Sequence, residues 1–361
     1  MTKANKILII VLVVQAALAA ITWTAVKDTP EVTKKSKLLN FEAKDVNKIE
    51  IVATQGEKVT PAIVLEKTGD AWTMASADGY PVKTETITEL LDSLVGIEIE
   101  SPIATTAANH SKLNVAKEGF DRKVTLTAGG KSVTLFLGRG ARSDAHVRVA
   151  GSDDVYTAVG LSVWSINSRP TNYVETEYLK ADADKAKSIT ITNAKGSIHF
   201  VKEGDAWTIP GLLPDDGADT SAAPVVAEGD TDGETRKEID SAEIKRLADK
   251  LMAINLVEPV GKKDDVKYGL KDGATVVIES EKDGKPVTLK YAVGAKDETN
   301  RYLKADGNDY IVKVSNFIVE PVTEKVATDF IKEVKPGDEA PSEPPGGMGG
   351  MQGMPPGMMM P

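Results

Sequence analysis

From Thr84 onward, apolar residues fall at Ile87, Leu90, Leu91, Leu94 and Val95, the spacing that lines one face of an α-helix. The same spacing returns at Ile244, Leu247, Ala248, Leu251 and Met252. Thr86 with Glu89 three residues on predicts a capping box at the first helix, and Asp240 with Glu243 predicts one at the second. Ahead of the first helix the period is two: Ile49, Ile51 and Ala53 alternate with polar neighbours, and Ile63 and Leu65 alternate against Val64 and Glu66. These are expected to be strands with one buried face. Behind each helix, alternating runs are joined by turn dipeptides, a hairpin signal. They are Lys123 to Ala128, Gly129-Gly130 and Ser132 to Leu137, then Thr275 to Ser280, Asp283-Gly284 and Val287 to Val293. Gly138 and Gly294 close the hairpins, and a further strand pair follows each, His146–Val149 with Val155–Val159 and Arg301–Lys304 with Tyr310–Val314.

Gly69-Asp70-Ala71-Trp72-Thr73 and Gly204-Asp205-Ala206-Trp207-Thr208 stand at the same place in this layout, so the chain reads as a tandem repeat. Lys117-Glu118-Gly119-Phe120 is matched with Lys267-Tyr268-Gly269-Leu270. The expected fold class is α+β: an N-terminal transmembrane helix, then two tandem repeat domains, each an antiparallel strand-rich sheet with one main amphipathic helix. The expected boundaries are a signal-anchor over residues 1–27, a tether over 28–40, a first repeat domain over 41–165, a linker over 166–187 and a second repeat domain over 188–333. The linker side includes a short helix near Val163, Trp164 and Ile166. Residues 211–236 are an acidic insertion poor in large apolar residues, expected to be a mobile loop. Residues 334–361, rich in Pro, Gly and Met, are expected to be a disordered tail.

The amino terminus changes the picture most. Lys3 and Lys6 precede an uncharged run from Ile7 to Val26, which at about 1.5 Å per residue reaches about 30 Å, a bilayer core. A cleaved signal peptide ending near Ala17-Leu18-Ala19 is the alternative, and a buried core helix is the bland one. The uncleaved anchor is preferred because the run continues through Ile21, Trp23 and Val26. Either export reading places the body outside the cytoplasmic membrane, with single-pass attachment under the first.

Charge and composition narrow the chemistry. The net charge of −10 over 361 residues disfavours nucleic acid. The absence of cysteine excludes disulfides and thiol chemistry. His110, His146 and His199 lie on separate elements without zinc spacing. No nucleophile elbow is present, so no catalytic residue and no cofactor is expected. Met348, Met351, Met354, Met358, Met359 and Met360 form a weak Cu(I) candidate, set against a low-complexity tail. Gly138-Arg139-Gly140 with Arg142 suggests an anion-binding loop but lacks the Lys-Ser or Lys-Thr of a P-loop, so a glycine turn with exposed arginines is preferred. Trp72 and Trp207 are candidates for stacking on a sugar or peptide, with core packing preferred.

Together the Gly-x-x-Trp element of both copies, the helix after it, Lys267-Tyr268-Gly269-Leu270 and the hairpin ending in Gly138 or Gly294 resemble the bacterial envelope family known as domain of unknown function 4340. The resemblance implies a single-pass exported protein associated with ABC transporters of the gliding-motility type, with no catalytic residues to carry over. The expected function is a non-enzymatic, membrane-anchored envelope accessory protein. A periplasmic peptide- or glycan-binding module is the alternative, with an envelope hydrolase or a Cu(I)-binding tail as minor ones.

Overall fold

The structure, a computed structural model, describes Gln15 and residues 35–56, 58–212 and 236–334. The run from Ile7 to Val26 apart from Gln15, nearly all of the acidic insertion and the tail apart from Val334, its six methionines included, lie outside the described residues. Among the described residues, no helix is long and apolar enough to cross a membrane.

The chain is a strand-rich α+β protein whose described residues form two large antiparallel sheets and three α-helices. In the first sheet, besides a two-residue strand Lys58–Val59 that pairs with Thr54 and Gln55, the strands are β1 (Val46–Gln55), β2 (Ile63–Thr68), β3 (Ala71–Met74), β4 (Tyr80–Pro81), β5 (Arg122–Ala128), β6 (Lys131–Arg139), β7 (Ala145–Val149) and β8 (Val155–Ala158). Their order is β8-β7-β6-β5-β1-β2-β3-β4. The second sheet has β9 (Glu177–Lys180), β10 (Ser188–Asn193), β11 (Gly196–Glu203), β12 (Ala206–Thr208), β13 (Ala253–Gly261), β14 (Ala274–Lys282), β15 (Lys285–Asp297), β16 (Asn300–Ala305) and β17 (Ile311–Ser315). Its order is β9-β13-β17-β16-β15-β14-β10-β11-β12. The run β8-β7-β6-β5-β1-β2-β3 therefore recurs as β17-β16-β15-β14-β10-β11-β12. The repeated sequence pattern is a repeated strand order.

By compactness the chain divides into two units, each built from discontinuous stretches. One comprises Met1–Lys180, Ala253–Asp272 and Val293–Phe317, and the other Ala181–Met252, Gly273–Ala292 and Ile318–Pro361.

In the first unit, helix α1 (Thr84–Val95) buries Ile87, Leu90, Leu91, Leu94 and Val95, the five positions the periodicity picks out. Full burial of such side chains is worth about 1.5–3 kcal/mol each. The start of the helix differs from expectation. Its cap position is Lys83, with no side-chain hydrogen bond, and Thr86 lies inside the first turn, so Thr86 and Glu89 form no capping box. In the sheet, the row Ile49, Ile51, Ala53, Ile63 and Leu65 is buried, as the alternation predicts. The opposite face is covered too, by Val52, Val115, Phe120, Phe136 and Val155, with the Phe120 and Phe136 rings 5.8 Å apart. Also in this unit, the Tyr310 hydroxyl donates to the Gly79 carbonyl at 2.7 Å and the Lys262 N–H donates to Asp78 Oδ2 at 2.8 Å.

In the second unit, α2 (Ser241–Met252) buries Ile244, Leu247, Ala248, Leu251 and Met252. Here the cap forms as expected, with the Glu243 N–H donating to Asp240 Oδ1 at 3.0 Å. Trp207 on β12 is buried, and its backbone N–H donates to Ser241 Oγ at 2.8 Å, fixing the strand to the first residue of the helix. Residues 318–324 of helix α3 (Asn316–Glu324) also belong to this unit.

Both predicted hairpin turns have left-handed backbone at both central residues, Gly129 and Gly130 at φ 56° and 78°, Asp283 and Gly284 at 51° and 74°. That conformation matches the twist of the flanking strands. The matching of Lys117–Phe120 with Lys267–Leu270 is corrected by the structure. Gly269 is left-handed (φ 61°), and the carbonyl before it, of Tyr268, abuts Gly294. In the first copy the left-handed residue is Asn114 (φ 54°), and the carbonyl before it, of Leu113, abuts Gly138. The counterpart of Lys267-Tyr268-Gly269-Leu270 is thus Lys112-Leu113-Asn114-Val115. Gly119 instead belongs to a two-stranded ribbon formed by Val115–Ala116 and Gly119–Phe120.

Candidate functional site

The ends of β1, β5 and β6 meet the turn after β8 around a cleft of about 490 Å³. Trp164, Arg122, Arg139 and Arg169 line it, with Asp121, Asn167, Ser168, Asn172 and Gln55 completing its polar wall.

Arg122 stands on the apolar face of its strand, in the row Arg122, Val124, Leu126, and is only 5% exposed. It is tolerated there because carbonyls are offered to it. Its Nε donates to the Ile166 carbonyl at 2.8 Å and its Nη1 to the Asp121 carbonyl at 2.8 Å. Burial lowers its pKa from the ordinary value, and the charge of Asp121 opposes that shift. A guanidinium nevertheless stays protonated in proteins. Arg139 is exposed at the end of β6, and its backbone N–H donates to Asp121 Oδ2 at 2.8 Å, which engages the cleft's carboxylate.

Trp164 is set by a 3-10 turn, Val163–Ser165, whose preceding Ser162 hydroxyl accepts the Trp164 N–H at 3.3 Å. The short helix expected near Val163 is this turn. The indole is 57% exposed, and the Arg122 and Arg139 guanidiniums lie 5.3 and 4.9 Å from its ring centre, within cation–π reach. The loop beyond it is tied down by Tyr173, whose hydroxyl donates to the Asn167 carbonyl at 2.7 Å. Burial raises the Tyr173 phenol well above its ordinary pKa, with Arg122 opposing, so it acts as a neutral donor.

The second copy provides an internal comparison. In the first sheet Ile49, Ile51 and Ala53 face Leu126, Val124 and Arg122; in the second, Ile189 and Ile191 face Ile278 and Val276. Two residues further along that row, the counterpart of Arg122 is Ala274, which is buried. The residue after Gly294 is Ala295, the counterpart of Arg139. The strand order forms without either arginine.

Of the residues singled out from sequence, Arg139 lies in the cleft. Arg142 does not line it; it sits exposed in the following turn, in left-handed conformation (φ 59°). Trp72 and Trp207 are 8% and 3% exposed, so their rings face the interior. The six tail methionines lie outside the described residues. His110 is buried and pairs with the Asp153 carbonyl, and His199 pairs with Thr190 Oγ1. Among the described residues, no group of three or more His, Cys, Asp or Glu is placed to hold a metal ion. Sequence reasoning passed over Arg122, Trp164 and Arg169. The available signal was Arg122 itself, a charge inside a period-two apolar row whose repeat counterpart is alanine.

Neither a curated protein nor a solved structure matches the chain significantly. A family model does match over residues 72–273, from the first buried tryptophan to the residue before β14, which is more than half of the chain. The chain belongs to the family described as domain of unknown function DUF4340.

Proposed function

We propose that this protein is a non-enzymatic accessory component of a bacterial envelope, held in the cell membrane by residues 7–26 with its sheets on the outer side. Its partners are other envelope components, and the family resemblance supports subunits of a gliding-motility-type ABC transporter among them. The observation that carries the non-enzymatic part is the make-up of the cleft. Its carboxylate, Asp121, accepts a backbone N–H, and the remaining polar side-chain groups are guanidiniums, amides, the Trp164 indole and the hydroxyls of Thr54 and Ser168. Such a wall holds a ligand, whereas acid–base catalysis uses titratable groups with separated pKa values facing the reacting atoms. Other strongly shifted groups serve the fold. Burial pushes Tyr178 up to about 12, and its hydroxyl donates to the Tyr310 carbonyl at 2.6 Å. Lys313 is held between Asp297 and Glu258 at 2.9 and 3.1 Å.

The test is crosslinking in native membranes followed by mass spectrometry, with the tagged full-length chain beside a version lacking the residues before Asp28. Recovery of transporter subunits by the full-length chain alone is the expected result. Recovery of soluble peptides or cell-wall fragments by both versions overturns it in favour of a ligand-binding module. Metal-dependent hydrolysis by a homogeneous preparation, lost on changing one polar residue, overturns the non-enzymatic reading.

A further inference from the structure

We infer that the cleft beside Trp164 is a binding site for a small ligand carrying more than one oxyanion, carboxylate or phosphate. This goes beyond the accessory reading and does not depend on the membrane placement. Three arginines, Arg122, Arg139 and Arg169, line one cavity that contributes a single carboxylate, Asp121, in a chain whose net charge is −10. A local positive field in an acidic protein is a focusing arrangement, and the low-dielectric wall around Arg122 strengthens it.

Buried charge costs free energy unless it is compensated. At Arg122 the hydrogen bonds found go to two neutral carbonyls, so the guanidinium is met by dipoles rather than by an ion pair. The Trp164 ring attracts both Arg122 and Arg139 and so reduces the cost of placing two like charges beside each other. Arg122 spends Nε and Nη1 on the two carbonyls, so the fork that matches a carboxylate or phosphate is offered by Arg139 and Arg169, with the remaining N–H groups of Arg122 beside it. Trp164 is accordingly a positioning residue. The fold does not require this arrangement, since the second copy has Ala274 and Ala295 where the first has Arg122 and Arg139. A cavity of about 490 Å³ falls within the size range of small-molecule sites.

The experiment is a titration of the full-length chain with citrate and, separately, with pyrophosphate at constant ionic strength, read by calorimetry and by tryptophan fluorescence. The expected result is saturable one-to-one binding of at least one probe, and the tighter of the two tells whether carboxylate or phosphate is preferred. Arg139→Gln and Arg169→Gln are each expected to weaken it about tenfold or more. Arg142→Gln removes the same charge outside the cleft and is expected to leave binding unchanged. Absence of saturable binding for both probes up to the order of 10 mM, the weak end of specific affinity, overturns the proposal. So does equal weakening by Arg142→Gln and Arg139→Gln, which reduces the effect to net charge. Neither outcome alters the crosslinking result, so the two readings fail separately.

Discussion

Gly138 and Gly294 hold the same place in the two copies, and each is pressed against a backbone carbonyl: a Cβ on Gly138 would overlap the Leu113 oxygen, and one on Gly294 the Tyr268 oxygen. Neither glycine has a positive φ. Each is required for close approach, not for conformational freedom. Asn114 and Gly269, both left-handed, turn those carbonyls onto the strand.

Gly138→Ala and Gly294→Ala are therefore expected to destabilise by about 1–3 kcal/mol or more, since backbone on both sides must shift. Gly130→Ala is the comparison, because nothing lies within 4 Å of its Cβ position and only the left-handed backbone (φ 78°) is strained. Its cost is expected near 1 kcal/mol. Urea unfolding monitored by circular dichroism measures all three, and equal losses would refute the carbonyl argument.

Trp72→Ala and Trp207→Ala remove the two buried indoles that begin corresponding strands. A loss of about 3–5 kcal/mol is expected for each, from lost transfer energy and the cavity left behind. Trp164→Ala removes a mostly exposed ring and is expected to cost within about 1 kcal/mol. Thermal unfolding of the three variants distinguishes core from surface tryptophan. A Trp72 or Trp207 variant that melts like the parent would return those rings to the list of ligand contacts.

Asp78 gives stability a defined acid limb. Its carboxylate accepts the Lys262 backbone N–H, which holds its pKa below the ordinary value, with burial opposing. A depressed folded pKa means the contribution is present above the unfolded value of about 3.9 and is lost as pH falls through the folded pKa. Asp78 is exposed, so solvent screening keeps the gain under about 1 kcal/mol. Asp78→Asn, which tolerates the left-handed backbone at φ 52°, is expected to be less stable than the parent at pH 6. The gap is expected to begin shrinking below about pH 4 and to close as pH falls through the lower folded pKa. Unfolding curves at pH 6 and pH 3 test this, and a gap that persists undiminished at pH 3 would assign it to something other than the carboxylate charge.

By itself the sequence determined what depends on neighbours along the chain. The helix faces of Ile87–Val95 and Ile244–Met252, the buried row from Ile49 to Leu65, the Gly129-Gly130 and Asp283-Gly284 turns and the Asp240 cap all follow from local spacing and backbone preference. Repetition of those local signals also made the repeated strand order legible. Only the tertiary structure decided the counterpart of Lys267–Leu270, because the criterion is a carbonyl that meets a glycine 25 residues away, from Leu113 to Gly138, rather than a matching letter. Only it showed that the helix starting at Thr84 is preceded by Lys83 with no side-chain cap, so that Thr86 falls inside the first turn. The cleft belongs to the same class. Arg122 is hidden because Ile166, 44 residues later, supplies a carbonyl, and Trp164 approaches Arg122 and Arg139 because the turn after β8 returns over the ends of β5 and β6. Local spacing carries no record of such meetings, since the energy that fixes them comes from groups that become neighbours only when the sheet closes.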